Sequence, residues 1–238
     1  MDAGAPVHAL GVDAAGSKGW VGVVVDADGF VAAHVALTVA ELISHAEADP
    51  SLGGRPLLAV GVDIPIGLVD GPSRSADLAA RTFVGPRRSS VFPAPHPDVL
   101  AFDDHAEVNR RLAELGHPGL SIQGFRLFPR IREVAGLADD QRVVEVFPEA
   151  SFCAMAGEHL RYAKKTWNGS ALRRMLLAST DPAIVLPDDL GPAGQVPVDD
   201  VLDAAAAAWS ARRVATGTAE PHGHDVDPVT GRRIAMWV

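Results

Sequence analysis

Two short apolar runs end alike, in Gly11-Val12-Asp13 and Gly61-Val62-Asp63, so each delivers a carboxylate at the point where a buried strand stops. A third acidic group, Asp199-Asp200-Val201-Leu202-Asp203, opens an alanine-rich segment near the C-terminus. Residues this far apart in sequence meet only through the fold. Taken singly, each Asp is an ordinary turn or capping residue, and Asp199 or Asp200 suits an N-cap. Taken together, strand ends and a helix start that converge form a site of hard oxygen ligands suited to Mg²⁺ or Mn²⁺. Such a site points to phosphoryl chemistry.

The elements around these acids follow from local pattern. Val7–Val12, Trp20–Val25 and Phe30–Leu37 read as three consecutive strands, the last two joined by the hairpin signal Asp26-Ala27-Asp28-Gly29. Thr38 and Glu41 have capping-box spacing before a helical face of Leu42, Ile43 and Ala46. Pro56–Val62 is a fourth strand, apolar enough for a central position and expected to lie beside the first. Residues 70–135 then read as an insertion. Ser73 or Ser75 would cap a helix through Arg81, the proline-rich 86–97 stretch excludes regular helix, and His105–Leu115 is helical. A further helix over Ile122–Val134 should kink at Pro129. Gln141–Phe147 returns to a strand, Ser170–Ala178 is a helix, and a Pro/Gly-rich loop runs on to Pro197. Asp199–Val214 is the clearest helix, with acids in its first turn and arginines in its last. Gly231–Val238 closes the sheet. The class expected is α/β, one domain over residues 1–238. Asp200 and Asp203 share a helix face, and Ala204–Ala208 makes that face smooth enough to lie tightly on the sheet.

Composition narrows the function. A net charge of −9 argues against a general nucleic-acid coat. The middle third differs: residues 70–135 carry nine basic side chains, all arginine, which suit bidentate phosphate contacts. Cys153 is the only cysteine, so neither an internal disulfide nor a multi-thiolate zinc site is available. No apolar run reaches the ~20 residues of a membrane helix, and the first residues lack a secretory pattern, so a cytoplasmic protein without membrane contact is expected. There is no P-loop, dinucleotide fingerprint or nucleophile elbow around Ser89-Ser90. His222-Gly223-His224-Asp225 reads as a solvent-exposed turn rather than a metal site.

The whole pattern resembles the ribonuclease-H-like superfamily, particularly its Holliday-junction-resolvase branch. More narrowly the chain is similar to the domain-of-unknown-function family 429, described as predicted nucleases of that fold. The resemblance is carried by residues 11–20 and 62–67, by Arg74-x-x-Asp77-x-x-Ala80-Arg81, and by Gly85-x-Arg87-x-Ser89-Ser90-Val91-Phe92. Ser121-x-Gln123, Glu145-Val146-x-Pro148-Glu149, Lys164-Lys165-Thr166 and Asp200-x-x-Asp203-Ala204 continue it. It implies a mixed sheet opening on a three-stranded antiparallel meander, followed by helix–strand units and flanked by helices. It also implies a metal-dependent phosphodiesterase acting on nucleic acid or a nucleotide. Asp13, Asp63 and Asp203 would bind Mg²⁺ or Mn²⁺, with Asp200 as a further ligand and Glu149 orienting water. Lys18, Arg81, Arg87, Arg88 and Lys165 would hold phosphates. Related nucleases are often homodimers, although no heptad or apolar stripe here commits to one. Asp63 departs from the branch, where Glu is common. The competing readings are a nucleotide-binding protein of the actin-like ATPase and sugar-kinase type, which the turn Asp13-Ala14-Ala15-Gly16-Ser17-Lys18 resembles, and a non-catalytic binding module of the same fold.

Overall fold

The computed structural model describes residues 7–238. Its first three strands, β1 (His8–Ala14), β2 (Trp20–Asp26) and β3 (Gly29–Ala36), form an antiparallel meander. Thr38 and Glu41 make the expected capping box and start α1 (Val39–Glu47). After it, β4 (Leu57–Val62) runs parallel to β1 with Val12 paired to Val62, which sets Asp13 beside Asp63.

The connection from β4 to the next strand holds α2 (Ser75–Val84), a 3₁₀ segment over Gly85–Ser90, α3 (His105–Glu114), α4 (Ile122–Phe125) and α5 (Phe128–Ala135). The single kinked helix expected over Ile122–Val134 is two helices. Pro129 sits in the first turn of α5, where its missing N–H costs nothing, and so begins a helix rather than bending one. No serine side chain caps α2; instead Asp225 accepts hydrogen bonds from the Ser75 N–H (2.6 Å) and hydroxyl (2.7 Å).

The remainder is β5 (Val143–Val146), α6 (Pro148–Ala156), α7 (Trp167–Ala178), α8 (Val198–Ala215), β6 (Pro221–Val226) and β7 (Arg233–Trp237). α6 has no counterpart in the sequence expectations, because its side chains from Pro148 to Cys153 are all buried and show no helical period. The loop expected over 222–225 is also wrong. It is the edge strand β6, paired antiparallel to β7. α7 begins three residues earlier than expected, with Thr166 as its N-cap, and α8 is preceded by Pro197 rather than capped by an Asp side chain.

All strands join one mixed sheet in the order β3-β2-β1-β4-β5-β7-β6. Alternate residues serve opposite cores. Leu10, Val12, Val24, Val60 and Val62 pack toward α1 and α5, whereas Ala9, Val23, Val25 and Ala59 pack under α6, α7 and α8. On the second face the glycines of both Gly-Val-Asp runs decide how close α8 comes. A Cβ at Gly11 would stand 2.0 Å from the Ala208 nitrogen and 2.1 Å from the Ala204 oxygen, and one at Gly61 would stand 2.8 Å from the Ala207 oxygen. Backbone therefore lies directly on backbone along Ala204–Ala208. Asp13 and Asp63, two residues beyond those glycines, share their face of the sheet. Among the described residues no helix is long and apolar enough to cross a membrane.

Candidate functional site

At the carboxyl ends of β1, β4 and β5 the chain leaves a cavity of about 280 Å³. This is where parallel strands commonly present ligand sites. Asp13 and Asp63 come to it from the two strand ends, Asp203 from the second turn of α8, and Glu149 from the first turn of α6. The convergence expected of the first three is thus what the fold produces. Asp200 lies one turn earlier on α8, outside the cavity lining, yet close enough for its charge to act on Asp13.

Lys164 was absent from the expected site residues and is the one lysine in the cavity. Its ammonium donates to Asp203 and lies 3.9 Å from Asp199. Lys165, the lysine expected to hold phosphate, instead projects outward with its side chain 80% exposed, at 3.9 Å from Asp199. None of the other expected phosphate ligands lines the cavity. Lys18 is exposed on the 3₁₀ turn after β1, and Arg88 is exposed. Arg81 donates to the Val91 carbonyl (3.2 Å), and Arg87 sits 3.8 Å from Glu149 while reaching the Arg161 carbonyl.

Two buried arginines support the walls. Arg173, fully buried on α7, donates to Glu149 Oε2 at 2.6 Å and to the Gly169 and Tyr162 carbonyls. Glu149 Oε1 is buried without a hydrogen-bond partner. Arg74 donates to both Glu145 oxygens at 2.8 Å and to Asp77 at 2.5 and 3.1 Å, while Asp77 Oδ2 accepts from the Ala94 N–H. The second network ties α2, β5 and the 92–97 segment into one wall. The Arg74-x-x-Asp77 spacing was a usable sequence signal for it; nothing in sequence signalled Arg173.

The charges do not balance. Among the described residues neither Asp13 nor Asp63 has a basic partner, and Asp13 accepts only the Ala14 N–H. Burial, reinforced by Asp63 and Asp203, pushes the Asp13 carboxyl well above its ordinary value. Burial and Asp203 push Asp63 up to about 7. Asp203 is also raised, chiefly by burial, with Lys164 holding it down in part. Asp200 is raised to about 6 by burial and by Asp199. Burial disfavours the Lys164 ammonium, but Asp203, Asp13 and Asp63 together outweigh it and hold its pKa above the usual lysine value.

The donor chemistry, hard oxygens with excess negative charge, fits Mg²⁺ or Mn²⁺. The spacing is a different matter. Among the described residues no three His, Cys, Asp or Glu side chains are arranged to hold a metal ion as they stand. Lys164 occupies the cationic role at Asp203, so metal coordination there requires its ammonium to withdraw.

Fold and site define a mixed α/β protein with a recessed acidic cavity at the carboxyl ends of its central strands. The chain belongs to the family described as Protein of unknown function (DUF429), whose profile matches residues 11–227. No match is found among curated proteins, and none among solved structures.

Proposed function

We propose that this chain is a Mg²⁺- or Mn²⁺-dependent phosphodiesterase of the ribonuclease-H-like fold that acts on nucleic acid. The observation that carries this reading is the meeting of Asp13, Asp63 and Asp203 in one cavity with two of the three unpaired. Buried carboxylates without partners are costly, and a cation or a proton must offset them. The fold assignment draws on the order β3-β2-β1-β4-β5, with its meander and two parallel partners, and on α8 lying across β1.

Asp13, Asp63 and Asp203 would hold the metal, which supplies Lewis acidity and a lowered pKa for bound water. The rest falls to the chain's own groups. Glu149, with one oxygen held by Arg173 and Oε1 left without a hydrogen-bond partner, would orient water or accept its proton. Once released from Asp203, Lys164 can donate to a non-bridging phosphate oxygen. Arg87, 3.8 Å from Glu149, would contact a neighbouring phosphate. The 3₁₀ turn after Asp13 is held at the Gly16 and Gly19 carbonyls by Arg130, which keeps the first carboxylate in place.

Purified wild type and Asp13→Asn, assayed on oligonucleotides with Mn²⁺ and with chelator, test this. Metal-dependent cleavage by wild type and its loss in the variant are expected. Equal cleavage by both overturns the reading. The actin-like nucleotide-binding alternative draws on the Gly16–Lys18 turn alone, and tight ATP binding without nuclease activity would favour it.

A further inference from the structure

The most exposed aromatic side chain among the described residues follows three positions after Lys164 of the cavity lining. Trp167, in the first turn of α7, is 87% exposed. A lone exposed apolar side chain is ordinary, and what singles this one out is the segment that carries it. Its surroundings are equally uneven. Two segments flank the cavity mouth, residues 84–92, which contribute Ser90, Val91 and Phe92 to the lining, and residues 157–167, which contribute Lys164. Arg87 joins them through the Arg161 carbonyl. Together they carry five basic side chains and a single acid, Glu158, in a chain of net charge −9. Aromatic groups alternate with these charges: Phe92 is 42% and Tyr162 37% exposed, and the Arg161 guanidinium lies 5.8 Å over the Tyr162 ring.

Basic side chains interleaved with open aromatic faces bind single strands, since each base offers a π-face and each phosphate a charge. The depth of the site points the same way. Asp13 and Asp203 are only 7% and 3% exposed. A flexible strand can lower a phosphate to them, whereas a duplex presents a stiff, wide surface to the rim.

We propose that residues 84–92 and 157–167 form a docking groove for single-stranded nucleic acid, with Trp167 stacking on a base outside the cavity. The inference rests on the phosphodiesterase reading for its substrate class. Its test is binding rather than turnover, so the two fail separately. The full chain, in chelator at low salt, is titrated with a fluorescent oligothymidylate and with a duplex of equal length. Wild type should prefer the single strand at least tenfold, quench its tryptophan emission on binding, and weaken steeply with added salt. Trp167→Ala should lose about tenfold in affinity with unchanged thermal stability, and Trp167→Phe should recover most of it. Arg88→Ala with Lys165→Ala should flatten the salt dependence. Equal affinity for duplex and single strand, or a Trp167→Ala variant that binds as wild type, overturns the groove. So does absence of oligonucleotide binding in a protein that still binds Mn²⁺ through Asp13. Single-strand binding that persists where no metal-dependent cleavage is found upholds the groove and overturns the phosphodiesterase.

Discussion

Replacing Asp63 by Asn should stabilise this protein in the absence of metal. The carboxyl titrates at about 7 in the folded chain against 3.8 for an ordinary Asp, because it is buried and faces Asp203. A folded-state pKa above the unfolded one stabilises the fold fully below the unfolded value, and that contribution is lost as pH rises through the folded value. Above pH 7, relative to acid, the ionised Asp63 costs up to ~4 kcal/mol at 1.36 kcal/mol per pH unit. Water in the cavity and coupling to the neighbouring acids reduce this to about 2 kcal/mol. In a chain of this size that corresponds to roughly 4–8 °C in Tm. Asn keeps the volume without the charge. Thermal unfolding in chelator at pH 8 should therefore show Asp63→Asn melting about 4–8 °C above wild type, with the gap narrowing through pH 5 and closing only below the unfolded carboxyl's 3.8. Millimolar Mn²⁺ at pH 8 should raise the wild-type Tm and leave the variant unmoved. A variant less stable than wild type at pH 8, or a difference that ignores pH, would refute an uncompensated carboxylate at this position.

Lys164→Ala removes the ammonium that competes with a divalent ion at Asp203, so calorimetric Mn²⁺ affinity should rise about tenfold while metal-free stability at pH 8 falls. Unchanged or weaker affinity would show that Lys164 does not oppose the metal. Gly11→Ala drives a methyl into the α8 backbone and should cost at least ~3 kcal/mol by denaturant unfolding, or prevent folding outright. Arg74→Met strands Glu145 and Asp77 in a buried wall; a loss of about 3–5 kcal/mol at pH 8, shrinking at lower pH as the buried Glu145 takes up a proton, is the expected result.

The carboxylate trio was legible because each member obeys a local rule with a spatial consequence. A strand-end Asp follows its strand, neighbouring parallel strands put their ends together, and an acid at the start of a smooth alanine face points where that face packs. Lys164 was not legible, since it adjoins Lys165 and no period governs the turn that sends one inward and the other out. Arg173 reads in sequence like any surface charge on a helix, and only the tertiary placement of Glu149, 24 residues away, accounts for its burial. β6 escaped because an edge strand needs no apolar alternation, and its His-Gly-His-Asp run has none. α6 escaped for the opposite reason, being covered on every side.

The contact of α8 with β1 and β4 at Gly11 and Gly61 also fixes what can move. With no side chain between the two backbones there is nothing to slide on, so the frame bearing Asp13, Asp63 and Asp203 behaves as a single casting although its parts lie some 190 positions apart in the chain. Adjustment is left to Lys164, which stands on an irregular turn between two helices. In this site the anions are the fixed bed and the cation is the moving part. Changes that retune it without breaking it should therefore collect in the short stretch from Gly157 to Thr166 rather than among the acids.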